Sequence, residues 1–282
     1  MANETTTTTL TETIQALIKE AQVTTSPGVW LADYIANEDL PIGNGSMTFP
    51  RFDEEVMASI AEGTDGANTA FDTTAVSITP GENLLMTTLT DLADRRSAMN
   101  AGAKIGGVMK TAYKKLQNFD IYALCDGFST ALGTTNVDIT LALIRQGVAT
   151  VRNGGAEGML YMPVTPWVME DLLGLYTPST SVTSDSLRQQ ANVEGVLPMI
   201  EGVVPILVDL PQGTGTGQAS QADTKTGIFS ADALGIVREW DFKIETERDA
   251  SIRGTELIAT CSYGVGELND AHGVELLVDN KD

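Results

Sequence analysis

The spacing of apolar positions divides the chain into a helical start, an extended stretch, one long helix, alternating helices and strands, and a β-rich end. Thr9 and Glu12 fit a capping box, and Ile14, Leu17, Ile18 and Ala21 follow at helical spacing, which predicts an amphipathic helix over 10–22. The segment TTSPG, residues 24–28, breaks it. Its apolar stripe has to bury against the chain's own domain or against another chain. Residues 40–90 read as extended. Met47, Phe49 and Arg51 alternate with Thr48 and Pro50, and Ala75, Ser77 and Thr79 alternate with Val76 and Ile78. A polar, glycine-rich tip lies between the two runs, from Glu62 to Thr74. The pattern predicts a projecting hairpin, which is marginal alone and calls for a partner surface.

Gly102 to Leu132 carries the strongest helical signal, with Ile105, Val108, Met109, Ala112, Leu116, Phe119 and Ala123 on one stripe and Gly133 as its stop. Such a helix would be roughly 40 Å long, at ~1.5 Å per residue. Asp138 then caps a helix that exposes Leu141, Ile144, Val148 and Val151 on one face and closes at Gly154 and Gly155. A strand over 159–164 leads to a helix opened by Thr165 and Pro166, a residue whose missing N–H costs nothing in a first turn. Residues 177–186 and 210–226 read as loops, and 203–208 as a buried strand. Short strands over 235–237, 242–246, 256–263 and 274–278 complete an α+β chain.

Composition narrows the function. With 38 acidic and 17 basic residues the formal net charge is −21, which disfavours nucleic-acid or anionic-membrane binding. At 42% hydrophobic residues the chain is not disordered by composition, and 282 residues can bury a core without disulfides or metals. Cys125 and Cys261 lie far apart in apolar segments, as buried free thiols suited to a reducing cytoplasm. The first ten residues lack the basic and apolar regions of a secretory signal, and no apolar run reaches the ~18–20 residues that span a bilayer.

Candidate chemistry is sparse. His272, the only histidine, sits in an Ala-His-Gly turn. Gly127-Phe-Ser129-Thr-Ala131 approximates a GxSxG elbow, but Ala131 replaces the last glycine and the segment falls within the predicted long helix. Gly213, Gly215 and Gly217 lack the final glycine and the following helix of a dinucleotide loop. Gly102 to Gly107 has the length of a phosphate loop, with Val108 and Met109 in place of its Lys-Ser/Thr pair. No metal-ligand spacing appears. The reading is a protein that is not an enzyme and has no cofactor. A soluble α/β hydrolase using Ser129 and His272 is the remote alternative.

The order of elements resembles the major capsid proteins of tailed bacteriophages, the family with the Hong Kong 97-like fold. The resemblance rests on AEGTDGANTAFDTTAVSITPGENLLMTTLTD (61–91), GAKIGGVMKTAYKKLQNFDIYALCDGFSTAL (102–132), DITLALIRQGVATVRNGGAEGMLYMPVTPWVMEDL (138–172), EGVVPILVDLP (201–211) and TGIFSADALGIVREWDFKIETERDASIRGTELIATCSYGVG (226–266). It covers roughly residues 28–282 and is a match of pattern, not of a short signature. It implies an N-terminal arm over 1–44 and an extended loop, a long β-hairpin, over 45–91. It further implies a peripheral domain over 92–136 and 238–266 built on a spine helix, and an axial domain over 137–237 and 267–282.

The implied function is self-assembly as pentamers and hexamers into an icosahedral shell around packaged double-stranded DNA. The location is the virion capsid, assembled in the bacterial host cytoplasm. Expected partners are other copies of the chain, a separate scaffolding protein because the arm before the loop is short, a portal protein, and in some systems a decoration protein. DNA is enclosed without specific binding, and there is no membrane partner. An encapsulin-type nanocompartment shares the fold and length and is the nearest alternative. Inter-subunit ion pairs would join Arg95, Arg96, Lys104, Lys110, Lys114, Lys115, Arg238 and Arg248 to loop carboxylates such as Glu54, Glu55, Glu62 and Asp65. Each exposed pair is worth only about 0–1 kcal/mol.

Some family members join subunits through a covalent Lys–Asn bond whose lysine lies in the extended loop. No lysine occurs between Glu20 and Lys104, so that bond is not expected here. Purified assemblies should run as a single monomer band on a denaturing gel, and a covalent ladder would contradict this.

Overall fold

A computed structural model describes residues 29–52, 57, 59–66, 73–96, 101–175, 199–208 and 223–280. The helix expected over 10–22, the loop over 177–186 and most of the loop over 210–226 lie outside the described residues. The strands are β1 (Ala36–Asp39), β2 (Met47–Phe52), β3 (Thr73–Ile78), β4 (Gly81–Thr90), β5 (Ala131–Gly133), β6 (Leu160–Val164), β7 (Val203–Leu207), β8 (Asp223–Ser230), β9 (Leu234–Asp249), β10 (Gly254–Glu267) and β11 (Gly273–Asp279). The helices are α1 (Asp91–Arg96), α2 (Ala101–Ala123), α3 (Leu141–Asn153) and α4 (Pro166–Leu175).

The strands form three sheets: a four-stranded one in the order β1-β9-β10-β4, a five-stranded one in the order β5-β11-β8-β6-β7, and the two-stranded hairpin β2-β3. The expected hairpin is present, with Met47 opposite Ile78 and Phe52 opposite Thr73. Its root is not unsupported. Met47, Phe49 and Ile78 pack with Leu40, Val237 and Leu268, and Arg51 Nη1 donates to Asn269 Oδ1 at 2.6 Å.

The long helix is shorter than its periodicity suggested. α2 stops at Ala123, a length of about 34 Å at ~1.5 Å per residue. A 3₁₀ turn over Leu124–Gly127 follows, and Phe128 is already extended. The tertiary reason is that Cys125 and Phe128 are buried in the core and Ala131–Gly133 pairs with β11. Gly133 therefore does not end the helix. It takes φ +88° in β5, and a Cβ there would lie 2.2 Å from the Leu277 carbonyl oxygen.

Two other expectations are corrected. The cap of α3 is Thr140, whose backbone is extended and whose side-chain oxygen accepts the Leu143 N–H, and not Asp138. The strands expected over 235–237 and 242–246 are one strand, β9. The polar run Arg238–Asp241 between them lies opposite a register shift in β10 at Thr260–Tyr263. Pro166 opens α4 as expected.

Two apolar clusters hold the layers together. α3 and α4 cover the five-stranded sheet through Ile144, Val151, Val168 and Leu172 against Leu160, Ile228 and Leu276. Gly147 lets α3 sit close, since a Cβ would come within 2.8 Å of the Ile228 side chain. The second cluster joins α2 to both sheets through Tyr113, Ile121 and Tyr122 with Phe229, Ile236 and Tyr263. Phe229 is fully buried in it. Phe229→Ala should destabilise the fold by about 3–5 kcal/mol, read from the midpoint of urea unfolding.

Candidate functional site

The charged side chains singled out in the sequence fall into three groups. Glu62 and Asp65 are exposed beside a tight turn closed by the Thr64 N–H to the Ala61 carbonyl. Glu54 and Glu55 lie outside the described residues. Six of the eight cations lie on α1 and α2, and Arg238 and Arg248 lie on β9. Arg95 and Arg96 sit in the last turn of α1, and Lys104 and Lys110 are exposed on α2. The 23 residues of α2 hold four lysines and a single acidic residue, Asp120. Among the described residues, neither Lys104 nor Lys110 has an ion-pair partner.

Three of the expected inter-subunit cations have roles within the chain. Arg248 reaches across from β9 to Asp91 at the start of α1 with two bonds of 2.5 and 2.7 Å. This fork holds the Asp91 carboxyl below its ordinary range. Lys114 and Arg238 lie over the Trp30 ring at 5.6 and 5.4 Å. Trp30 in turn meets Tyr113 edge-on, and Tyr113 stacks on Phe242. Lys115 is half-buried on α2 and has a partner.

Sequence reasoning named Ser129 and His272 but missed their carboxylate partners, Asp270 and Asp232, around the turn Asp270–His272 that links β10 to β11. The Ser129 backbone N–H donates to Asp270 Oδ1 at 2.7 Å, and its hydroxyl bonds the other oxygen of the same carboxylate. His272 Nδ1 meets Asp232 Oδ2 at 2.7 Å. Ser129 and His272 are thus each bound to a different carboxylate, and no hydrogen bond joins them as a nucleophile and its base would require. Nearby, burial and the facing Asp270 carboxylate raise the pKa of Glu267. At Asp270 burial acts in the same upward direction, but the bonds from Ser129 outweigh it and hold the carboxyl low.

A third polar cluster anchors α2 to the five-stranded sheet. Lys225 on β8 bonds Asp126, just after α2, and approaches Glu275 of β11 at 3.3 Å. The bond to Asp126 raises the Lys225 pKa. Burial raises that of Glu275, against the pull of Lys225. The fully buried Tyr122 hydroxyl meets Thr224 Oγ1 at 2.6 Å. Only the spatial pairing of distant segments reveals these contacts, so no local sequence signal could have found them.

Both cysteines are buried and free, as expected. Burial pushes the Cys125 thiol well above its usual range and that of Cys261 up to about 11. Among the described residues no group of three His, Cys, Asp or Glu side chains is placed to hold a metal ion. No helix among them is long and apolar enough to cross a membrane.

No family model matches the chain, and no curated protein matches it in sequence. The fold, however, matches solved structures over most of its length. The capsid structure of the cyanophage P-SCSP1u aligns with a TM-score of 0.65 at 16% identity, covering 90% of this chain and 89% of the other. A chain from Gordonia phage Cozz aligns with a TM-score of 0.67 at 14% identity, covering 90% and 87%. The acid-stable capsid of Helicobacter pylori bacteriophage KHP30 aligns with a TM-score of 0.67 at 10% identity, covering 86% and 87%. The chain therefore has the mixed α+β fold seen in these phage structures.

The raised Glu267 pKa gives a pH prediction. A carboxyl whose folded pKa lies above its unfolded value favours folding below the ordinary glutamate range. That contribution is lost as pH rises through the folded value, so ionised Glu267 is a cost at neutral pH. Glu267→Gln should raise Tm at pH 7, because the amide carries no charge to bury there. The gain should vanish near pH 4, which paired thermal scans would read.

Proposed function

We propose that the chain is the major capsid protein of a tailed bacteriophage, forming pentamers and hexamers that close into an icosahedral shell around packaged double-stranded DNA. The observation that carries this reading is the fold likeness to capsid structures over about nine-tenths of both chains, as with the cyanophage capsid at a TM-score of 0.65. On this reading residues 1–44 are the N-terminal arm and 45–91 the extended loop. Residues 92–136 and 238–266, with α2 as the spine, are the peripheral domain, and residues 137–237 and 267–282, with α3 and α4, are the axial domain. A separate scaffolding protein and a portal protein complete the assembly, and no enzymatic step is part of it.

The mechanism is geometric. Head-to-tail contacts between identical subunits generate rings, and rings that bend against one another close a shell. Each contact can be weak, because repetition multiplies it. The acidic hairpin tip, with Glu62 and Asp65, and the exposed lysines of α2 are complementary surfaces for such contacts. A net charge of −21 per copy keeps the shell from gripping its DNA.

Electron microscopy of the protein co-expressed with its scaffold should show large closed icosahedra. Small shells formed alone around an enzyme would instead favour the encapsulin reading. A monomer whose esterase activity is lost in Ser129→Ala would favour the hydrolase. Lys104→Glu with Lys110→Glu should lower shell yield at least fivefold at low salt while leaving the subunit's unfolding midpoint within error. An unchanged yield at both low and high salt would remove these two lysines from the contact.

A further inference from the structure

The chain contains two Asn-Gly pairs, Asn44–Gly45 and Asn153–Gly154, and the fold treats them in opposite ways. Such a pair carries its own chemistry. The backbone nitrogen that follows an asparagine can attack that residue's side-chain carbonyl and close a five-membered ring. A side chain on the following residue hinders the approach, and glycine has none.

Asn44–Gly45 lies in the link between β1 and β2, where residues 41–46 are all exposed. The Asn44 N–H donates to the Pro41 carbonyl at 3.2 Å, closing a turn in which Gly43 takes φ +94°. Among the described residues neither the Asn44 side chain nor the Gly45 N–H has a hydrogen-bond partner. A Cβ on Gly45 would meet nothing within 4 Å. Both reacting groups are therefore free to turn towards each other.

Asn153–Gly154 is held. Asn153 is the last residue of α3, and the Gly154 N–H donates to the Thr150 carbonyl at 3.0 Å. A Cβ on Gly154 would lie 2.0 Å from the Ala271 carbonyl oxygen, so this backbone is pressed against the turn Asp270–His272. For the Gly154 nitrogen to reach the Asn153 side chain, the end of α3 has to leave that turn.

We propose that Asn44–Gly45 is a self-modifying site at the root of the hairpin. The Gly45 nitrogen forms a bond to Asn44 Cγ, the Cγ–Nδ2 bond breaks, and the side-chain nitrogen leaves as ammonia with the Gly45 proton. Water then opens the ring. Opening at Cγ leaves an aspartate. Opening at the main-chain carbonyl leaves an isoaspartate, whose backbone runs through Cβ and Cγ and is one atom longer. Either product adds a carboxylate to a stretch that already holds Glu38 and Asp39. The longer product also changes the reach of the link between β1, paired with β9, and the hairpin. Each copy of the chain thus acquires a slow, one-way mark of its age. This holds whether or not the chain builds a shell.

Peptide mapping by mass spectrometry of the full-length protein, kept folded at mildly alkaline pH, tests this. Conversion at Asn44 should run at least tenfold faster than at Asn153. In urea, where the fold no longer protects Asn153, the two rates should converge. Gly45→Ala should slow conversion at Asn44 at least tenfold and leave the unfolding midpoint unchanged, because the added methyl enters open space. Equal rates at the two sites in the folded protein would overturn the proposal. So would an intact Asn44 under conditions that convert a free peptide of residues 41–47, or an unchanged rate in Gly45→Ala. A tenfold difference that persisted in urea would overturn it too, because the flanking residues and not the fold would then set the rates.

Discussion

Two amide side chains buried on α2, Gln117 and Asn118, have to be paired, and the chain between Val29 and Leu31 pairs the Gln117 oxygen and both polar atoms of Asn118, while the Gln117 N–H donates to Tyr113. A buried donor or acceptor left without a partner costs about 1–3 kcal/mol, so this stretch has few other places to go. Its position then orients the elements on either side of the core. Leu31 and Ala32 enter the apolar cluster shared by both sheets, and Tyr34 meets Tyr161 on the five-stranded sheet. Ala36–Asp39 runs parallel to β9, with Ala36 opposite Gly235 and Asp39 opposite Arg238. The hairpin leaves from the end of that strand, so its direction is set by a clamp on a helix some eighty residues further along the chain.

Periodicity located most elements because most of them bury one clear face. α3 shows its stripe in Ile144 and Val151, and α4 follows the Thr165–Pro166 signal. The hairpin runs of Met47–Arg51 and Ala75–Thr79 were legible for the same reason. Where sequence reasoning failed, tertiary contacts had overridden a local pattern. Residues 124–132 fell inside the helix expected to run to Gly133, but Cys125 and Phe128 are buried from a 3₁₀ turn and an extended segment, and Ala131–Gly133 pairs parallel with β11. Arg238–Asp241 looked like a turn because it is polar. In the fold those side chains reach partners outside the strand, Arg238 over Trp30 and Asp241 bonded by the Tyr113 hydroxyl. Of the candidate charged residues, the sequence marked correctly which are cations on one helix. It could not mark Arg248 as the partner of Asp91, a contact spanning 157 positions.

The acidity of the chain is unevenly absorbed. Of 17 basic residues, six (Arg95, Arg96, Lys104, Lys110, Lys114 and Lys115) lie within 21 positions of one another on α1 and α2. The carboxylates have no matching supply of cations, and burial is the first cause that raises the pKa of Asp120, Glu267 and Glu275. Asp120 keeps one good bond, from the Tyr263 hydroxyl at 2.6 Å. Like charges distributed this way oppose close packing between copies, except where the basic band of one copy meets an acidic surface of another. In the proposed shell this limits the ways two copies can approach, and the restriction contributes to specificity more than to affinity.

The fold leaves its open surfaces at its periphery, and this bears on how such a chain behaves. Among the described strands β4 pairs with β10 alone, and the hairpin β2-β3 is a two-stranded ribbon beyond its packed root. A two-stranded ribbon gains little from its own contacts, so its outer part is stabilised only when another surface meets it. A subunit that closed every edge internally would have no means to recognise a neighbour. One that left large apolar edges open would aggregate before assembling. The arrangement here lies between those limits. β4 leaves Leu84, Leu85 and Met86 exposed, and the segment between β2 and β3 carries exposed Met57 and Ile60 beside Glu62 and Asp65. The charged part of that surface is the kind that forms weak, reversible and salt-sensitive contacts. Weak contacts that can break and re-form let a misplaced subunit leave before the next one locks it in, which a shell of many identical parts requires.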